Sequence, residues 1–115
     1  MAYIDGVVCA VPTANKDVYK AHAEETAAEF KKYGALSVVE CWGNEVPEGK
    51  VTSLPMAVKC QDDETVVFSW ITWPSKQARD EGWGRMMEES EVLSKPFPYD
   101  GSRMIYGGFD VLVEA

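Results

Sequence analysis

The segment from residue 64 to residue 73, ETVVFSWITW, is apolar at most of its positions. Successive side chains of a strand point to opposite faces of a sheet, so both faces of this predicted strand need to be covered. The two faces would carry Val66, Phe68 and Trp70 on one side and Val67, Ser69, Ile71 and Trp73 on the other. Two helices in a chain of 115 residues can cover only one sheet face, so we expect a second copy of the chain to cover the other. The pattern does not distinguish which set of side chains faces the partner.

The rest of the pattern predicts two helices and four further strands. Apolar residues recur at three- and four-residue spacing from 16 to 33, which is typical of an amphipathic helix that Asn15 or Thr13 can cap and Gly34 can end. A second helix follows Ser75 and runs to about residue 89. The predicted strands span 2–11, 35–42, 55–60, 64–73 and 102–113, and the main loops span 43–54 and 91–101.

This order of elements predicts an α+β fold. If segments 35–42 and 55–73 pair as a long hairpin, the core is βαββαβ, the ferredoxin-like arrangement with two helices on one face of an antiparallel sheet. The last strand is also apolar on both sides. Two such sheets stacked across a two-fold axis would cover each other. We therefore predict one ferredoxin-like domain over residues 1–115 that forms a sheet-to-sheet homodimer.

Composition narrows the choice of partners. The chain is 46% hydrophobic and 26% charged, and 11 basic against 19 acidic residues give a net charge of −8. A negative surface repels phosphate backbones and anionic lipids, so nucleic acid and membranes are not expected as partners. The first 16 residues lack the basic start and long apolar run of a signal peptide or membrane span, and we expect a cytoplasmic protein.

The cysteine and histidine content argues against a bound metal or cofactor. The three cysteines are odd in number and form no CxxC motif, so we expect buried free thiols in a reducing compartment. The single histidine, His22, cannot complete a zinc site. Haem binding would have to rely on His22 alone as an axial ligand, and no cofactor is predicted.

Several short motifs carry a family resemblance. They are YIDG (3–6), GAL (34–36), VECWG (39–43), GKVT (49–52), AVK (57–59), ETVVFSW (64–70), PSKQARD (74–80) and DGSRMIYGGFDVLV (100–113). Together they make the chain resemble the YbaA-like family of small uncharacterised bacterial proteins, known as a domain of unknown function. The resemblance implies the dimeric α+β barrel superfamily, which includes cofactor-independent monooxygenases, muconolactone-type isomerases, haem enzymes and members without assigned activity. The family has no established catalytic residues to carry over.

Two features depart from the family pattern. Gly82-Trp83-Gly84 lies inside the second predicted helix, where each glycine costs about 1 kcal/mol relative to alanine, so we expect a bent or frayed helix. The loop segment 96–99 reads PFPY, and its two aromatic residues would alter the rim of a pocket.

Polar residues in the middle of predicted strands are the main candidates for chemistry, because burying them costs free energy unless they are paired. We take as ligand-binding candidates Asp5, Glu40, Ser69, Arg79 and Arg103, and as catalytic candidates Glu40, Arg103 and His22. A desolvated Glu40 would have a raised pKa and act as a base, and an arginine would orient a small anionic or enolisable substrate. The alternative is an ion-pair network in which Asp5 or Glu40 pairs with Arg79 or Arg103. His22 can shuttle protons or simply pack at the edge of its helix.

These residues support three functional hypotheses. The first is a cytoplasmic homodimer that binds or converts a small polar or anionic molecule in a cleft between the sheet and the helices. The second is a non-catalytic structural or regulatory dimer. The third is a cofactor-independent monooxygenase-like or isomerase-like enzyme, which rests on the family resemblance alone. The sequence leaves open whether the protein is an enzyme.

Overall fold

The computed structural model of the protein describes residues 2–115 and contains one antiparallel sheet with helices on one face. Its main elements are β1 (Tyr3–Pro12), α1 (Lys16–Lys32), β2 (Ser37–Trp42), α2 (Leu54–Ala57), β3 (Glu64–Trp73), α3 (Lys76–Glu89) and β4 (Ile105–Asp110). The strand order is β2-β3-β1-β4, and β1 pairs with β3 along its whole length. With the one-turn α2 set aside, this is the βαββαβ order of a ferredoxin-like fold, which confirms the predicted fold class.

The prediction of a strand at residues 55–60 is wrong. These residues form α2 and a turn, because Pro55 suits the first turn of a helix and the Ser53 hydroxyl accepts a 3.1 Å hydrogen bond from the backbone N–H of Met56. Lys59 then adopts a positive φ of 49°, which ends the helical turn. The long hairpin is therefore formed by β2 and β3 alone.

The segment after α2 covers part of the sheet face opposite the helices. Val58 is fully buried there against Val8, Ala10 and Val66. The sequence predicts that this segment is a strand within the long hairpin, whereas in the structure it shields one end of the sheet.

Strand β4 is shorter than the predicted span of 102–113. Gly101–Arg103 form a 3-10 turn whose cap is Asp100, and pairing ends at Asp110 because its partner, Tyr3, is the first residue of β1. The apolar residues Leu112 and Val113 lie beyond the last pair and are exposed.

Both long helices begin and end close to the predicted residues. Ser75 caps α3 by accepting a hydrogen bond from Ala78, whereas Asn15 precedes α1 without a side-chain cap. Gly34 follows α1 with a φ of 112°, which favours glycine. Helix α3 is continuous through Gly82 and Gly84, so the expected fraying is not seen.

Gly82 is needed for close packing between α3 and the sheet. A Cβ at this position would lie 2.6 Å from the Trp73 ring and 2.6 Å from the backbone oxygen of Tyr33. Trp73 is fully buried, so neither neighbour has room to move. Glycine has a low helical propensity, but it is needed at position 82 because any larger residue would clash with Trp73.

The structure identifies the sheet face that the helices leave uncovered. Val67, Ile71 and Trp73 pack under α1 and α3, whereas the alternate residues of β3 point to the other side. Phe68 on that side is 44% exposed. We call this side the open face, and its apolar residues include Ile4, Val8, Val39, Phe68, Trp70, Ile105 and Phe109.

Two further predictions concern free cysteine thiols and membrane-spanning helices. Cys9, Cys41 and Cys60 are free thiols, of which Cys9 is buried and the other two are partly exposed. Among residues 2–115, no helix has the length and apolar character needed to cross a membrane.

Candidate functional site

A cavity of about 540 Å³ lies between the helices and the sheet face they cover. The strands form its floor, α1 and α3 form two walls, and the segment 90–104 closes part of it. Its lining residues are Asp5, Val7, Tyr19, His22, Ala23, Thr26, Phe30, Glu40, Ser69, Ile71, Arg79, Trp83, Phe97, Tyr99, Met104, Tyr106, Gly107 and Gly108. The volume is in the range of ordinary small-molecule sites.

The strand register places the polar residues of the floor in two adjacent rows. One row crosses the sheet through Tyr106, Val7, Ser69 and Glu40, and the next contains Gly108, Asp5 and Ile71. Two strand spacings and one two-residue step separate the Cα atoms of Asp5 and Glu40 by roughly 12 Å. The two carboxylates therefore act as separate groups.

Glu40 lies on edge strand β2 and points into the cavity. Its Oε1 accepts a 2.6 Å hydrogen bond from the hydroxyl of Tyr19, and Ser69 lies directly opposite it in the register. Among the residues that the structure describes, no lysine or arginine forms an ion pair with it.

The surroundings of Glu40 act on the pKa of its carboxyl in opposite directions. Water in the cavity still reaches the side chain, but the protein on its other sides removes hydration and raises the pKa of the carboxyl. The hydroxyls of Tyr19 and Ser69 offset part of this rise because they stabilise the ionised form. Glu40 can thus accept a hydrogen bond or a proton from a bound molecule.

Cys9 lies near this carboxylate but is not a nucleophile. Burial raises the pKa of its thiol to about 12, and the negative charge of Glu40 adds to the rise. The thiol therefore stays protonated near neutral pH and serves as a packing residue.

Asp5 and Arg79 form the second polar group of the cavity. Asp5 accepts hydrogen bonds from the indole nitrogens of Trp73 at 2.9 Å and Trp83 at 3.2 Å, and its other oxygen lies 3.4 Å from Nε of Arg79. Arg79 also donates to the Tyr3 hydroxyl at 2.8 Å and to Asp80 at 3.0 Å. These contacts tie β1 to α3, as expected for a structural ion-pair network.

Gly108 allows this network to approach strand β4. The position of a Cβ on Gly108 is already occupied by the Tyr3 hydroxyl and by Nη2 of Arg79. The register of β4 with β1 is continuous from Tyr3 to Val8, so Gly108 serves a close approach and not a bulge.

His22 lies beneath the segment that closes the cavity. Its ring meets the edges of Phe97 at 5.8 Å and Tyr99 at 6.3 Å, and those two rings stack on each other at 5.3 Å. Burial lowers the pKa of His22, so it is neutral at pH 7. The PFPY segment thus contributes two aromatic rings to the cavity.

Arg103 lies outside the cavity lining. Its guanidinium makes two 2.7 Å hydrogen bonds to Glu64 and contacts Asp100 and the backbone oxygen of Lys59. This pairing lowers the pKa of Glu64 and raises the pKa of Arg103. The arrangement holds the loop before β4 against the start of β3.

The cavity brings together most of the residues selected from the sequence. Asp5, Glu40, Ser69, Arg79 and His22 all line it, whereas Arg103 does not. Sequence reasoning missed Tyr19 as a lining residue, although it did expect the two aromatic residues of PFPY to alter the rim of a pocket. Tyr19 is one of the periodic apolar positions of segment 16–33, and that spacing gave no sign that its hydroxyl meets Glu40.

Within residues 2–115, no group of three or more His, Cys, Asp or Glu side chains is placed to hold a metal ion. The cavity instead offers aromatic faces, one paired cation and one carboxylate without a cationic partner among the described residues. Such a lining can bind an organic molecule and fix its orientation through Glu40.

Comparison with known proteins identifies the family. The family described as "Protein of unknown function (DUF1428)" matches residues 2–101. "Uncharacterized protein YbaA" of Escherichia coli (strain K12) is 48% identical over 116 residues, which cover 99% of each chain. The protein of the same name from Shigella flexneri has the same identity and coverage. The chain therefore belongs to the DUF1428 family of proteins of unknown function, as its resemblance to YbaA-like proteins predicted.

Proposed function

We propose that this protein binds a small, largely apolar organic molecule in the cavity, with Glu40 as its polar anchor. The observation that carries the proposal is a cavity of about 540 Å³ with aromatic walls and a carboxylate on its floor that no described cation neutralises. Binding sites of small molecules combine an apolar lining with a few directed polar groups in this way.

The contacts that Arg79 already makes within the protein change the class of ligand expected from the sequence. Sequence reasoning favoured a polar or anionic ligand because arginines and carboxylates occur together. In the cavity, Arg79 is already bound by Asp5, Asp80 and Tyr3. An anion at Arg79 would have to displace Asp5, and an anion at the other polar group would lie beside the Glu40 carboxylate, so we favour a ligand without negative charge.

A fragment screen on a cavity-filling variant tests the proposal. Val7→Phe places an aromatic ring on the floor of the cavity, and Val18→Phe makes the same change at an exposed position of α1. Small aromatic compounds should raise the Tm of the wild-type and Val18→Phe proteins, since a ligand at 100 times its Kd adds about 2.7 kcal/mol of stability. The Val7→Phe protein should show no such rise.

The controls separate cavity binding from non-specific binding. Circular dichroism and a Tm measured without compounds establish that Val7→Phe is folded. If folded Val7→Phe responds to the same compounds as the wild-type protein, the cavity is not their binding site and the proposal is wrong.

We also propose that the protein self-associates through the open face, the arrangement of the dimeric α+β barrel superfamily. The alternate residues of β1 from Ile4 to Ala10 and their partners on the neighbouring strands include no charged side chain. Phe68 and Phe109 are 44% and 59% exposed in this area. A second copy would bury these side chains against an identical uncharged surface.

Light scattering after gel filtration tests self-association. The wild-type protein should have twice the chain mass of 12.8 kDa, and Phe68→Asp should shift it to the monomer mass. Val18→Asp introduces the same charge at an exposed apolar residue of α1 and should leave the dimer intact. A monomeric wild-type protein, or a dimer that persists in Phe68→Asp, contradicts this interface.

A further inference from the structure

The ionisable residues that line the cavity are not balanced in charge. Two carboxylates, Asp5 and Glu40, face one guanidinium, Arg79, which leaves one negative charge when all three are ionised. His22 does not offset this charge, because its burial keeps the ring neutral at pH 7. The cavity therefore lacks one positive charge.

Arg79 cannot supply that charge at Glu40. It lies over the Tyr3 ring at 4.8 Å and contacts Asp5 and Asp80, so its charge is used at the Asp5 row of the floor. The Cα atoms of Asp5 and Glu40 lie roughly 12 Å apart in the two rows, and Arg79 forms its ion pairs with Asp5 and Asp80.

Aromatic rings surround the Glu40 end of the cavity. Tyr19 donates its hydroxyl to Glu40, and the ring of Tyr99 lies 5.8 Å from that of Tyr19. The negative faces of aromatic rings attract cations, and they do so more strongly where water is reduced.

The neighbours of Glu40 also respond to its charge. The negative charge of Glu40 contributes to the raised pKa of Cys9, Tyr19 and Tyr99. These three groups stay neutral near pH 7, so none of them compensates the carboxylate.

We infer that the ligand of this cavity is an organic cation, an ammonium group on an apolar body. The ammonium group would lie at Glu40 against the rings of Tyr19 and Tyr99, and the apolar body would extend along the aromatic walls. The net charge of −8 would attract such a ligand at long range. This inference rests on the proposed binding function and adds its ligand class.

Three probes that share one ring and a short side chain test the inference by isothermal titration calorimetry. They are 2-phenylethylamine, 2-phenylethanol and phenylacetate, which are cationic, neutral and anionic at pH 7. The amine should bind about tenfold or more tightly than the alcohol, because hydrogen bonds to charged groups contribute roughly 10- to 100-fold in affinity. Phenylacetate should bind most weakly.

Two matched variants locate the source of the preference. Glu40→Gln keeps the size of the side chain and an oxygen for Tyr19 but removes the charge, so the preference for the amine should fall to about threefold or less, the share left to the rings. Glu24→Gln makes the same change at an exposed residue of α1 and should keep the full preference.

The outcomes separate this inference from the proposed function. Equal binding of amine and alcohol to the wild-type protein, abolished for both in Val7→Phe, overturns the inference and leaves the binding cavity supported. A preference for the amine that survives in Glu40→Gln also overturns it. If none of the probes binds at about 10 mM, where weak fragments of this size are detected, both the inference and the proposed function are wrong.

Discussion

The hydroxyl of Tyr19 donates a 2.6 Å hydrogen bond to Glu40 and thereby joins the first half of α1 to edge strand β2 across the cavity. This bond stabilises the ionised carboxylate in surroundings that otherwise raise the pKa of Glu40. It therefore sets both the charge of the cavity floor and the position of the one carboxylate that a ligand can reach without displacing an arginine.

Replacement of Tyr19 by phenylalanine should raise the pKa of Glu40 further. The substitution removes a donor to the ionised carboxylate, and stability at pH 7 should fall by about 1 kcal/mol. Carboxyl ¹³C NMR titration gives the pKa, and urea unfolding gives the free energy. Tyr99→Phe is the matched control, since the Tyr99 hydroxyl faces the sulfur of Met104. An unchanged pKa of Glu40 in Tyr19→Phe would show that the bond is absent in solution.

Replacement of Glu40 by glutamine should alter the dependence of stability on pH. The pKa of Glu40 is raised in the folded protein, so its contribution is fully present below the unfolded value near 4.5 and is lost as the pH rises through the folded value. Glu40→Gln lacks this loss, and its stability relative to the wild-type protein should increase between pH 4 and pH 8.

Urea unfolding at several pH values across this range measures the effect. Glu24→Gln removes an equal charge from an exposed position, and its stability relative to the wild-type protein should stay nearly constant. A constant difference for Glu40→Gln as well would mean that the folded protein does not raise the pKa of Glu40.

The two glycines of α3 should respond to alanine with opposite signs. Gly84 has open space around the position of a Cβ, so Gly84→Ala should stabilise the protein by about 0.5–1 kcal/mol. Gly82→Ala would place its methyl group against the Trp73 ring and the backbone of Tyr33, and the strain should cost about 1–3 kcal/mol. Thermal unfolding of both variants checks the pair. Equal effects of the two substitutions would contradict the close packing at Gly82.

The sequence predicted those elements that a strong local pattern specifies. The 16–33 periodicity and the Ser75 cap located α1 and α3 within a few residues. The prediction of a strand at segment 55–60 failed because the segment is short and apolar, a pattern that strands and helices share. Ser53 and Pro55 favour a helical turn there. The face of β3 that meets the helices could not be predicted from ETVVFSWITW, because both faces of this strand are apolar. Only the tertiary packing shows that Ile71 contacts the helices.

For the candidate site as well, local sequence patterns predicted some features, and features that depend on tertiary contacts were not predicted. Mid-strand polar residues such as Asp5, Glu40 and Ser69 were recognisable because polar groups are unusual there, and the register brings them to one face. Their partners were not recognisable, because the contacts of Glu40 with Tyr19 and of Arg103 with Glu64 join residues 21 and 39 positions apart. Such pairings depend on how the helices and loops cross the sheet.

Loss of Arg103 should destabilise the protein. The Glu64 side chain is only 7% exposed, and Arg103→Met would leave its carboxylate without its bidentate partner. Removing one member of this partly buried, bidentate pair should cost more than removing one member of an exposed pair. Urea unfolding at pH 7 should show this larger loss, whereas Arg85→Met, at an exposed ion pair with Glu89, should cost less than about 1 kcal/mol.

The pH dependence of this loss distinguishes an ion-pair effect from a packing effect. Arg103 lowers the pKa of Glu64, so the stability that the pair contributes is present above the unfolded value near 4.5 and is lost as the pH falls through the folded value. The difference between wild-type and Arg103→Met should therefore shrink on acidification, and the second substitution Glu64→Gln should recover part of it at pH 7. A difference that is constant with pH and unchanged by Glu64→Gln would mean that Arg103 acts through packing of its aliphatic chain and not through the carboxylate.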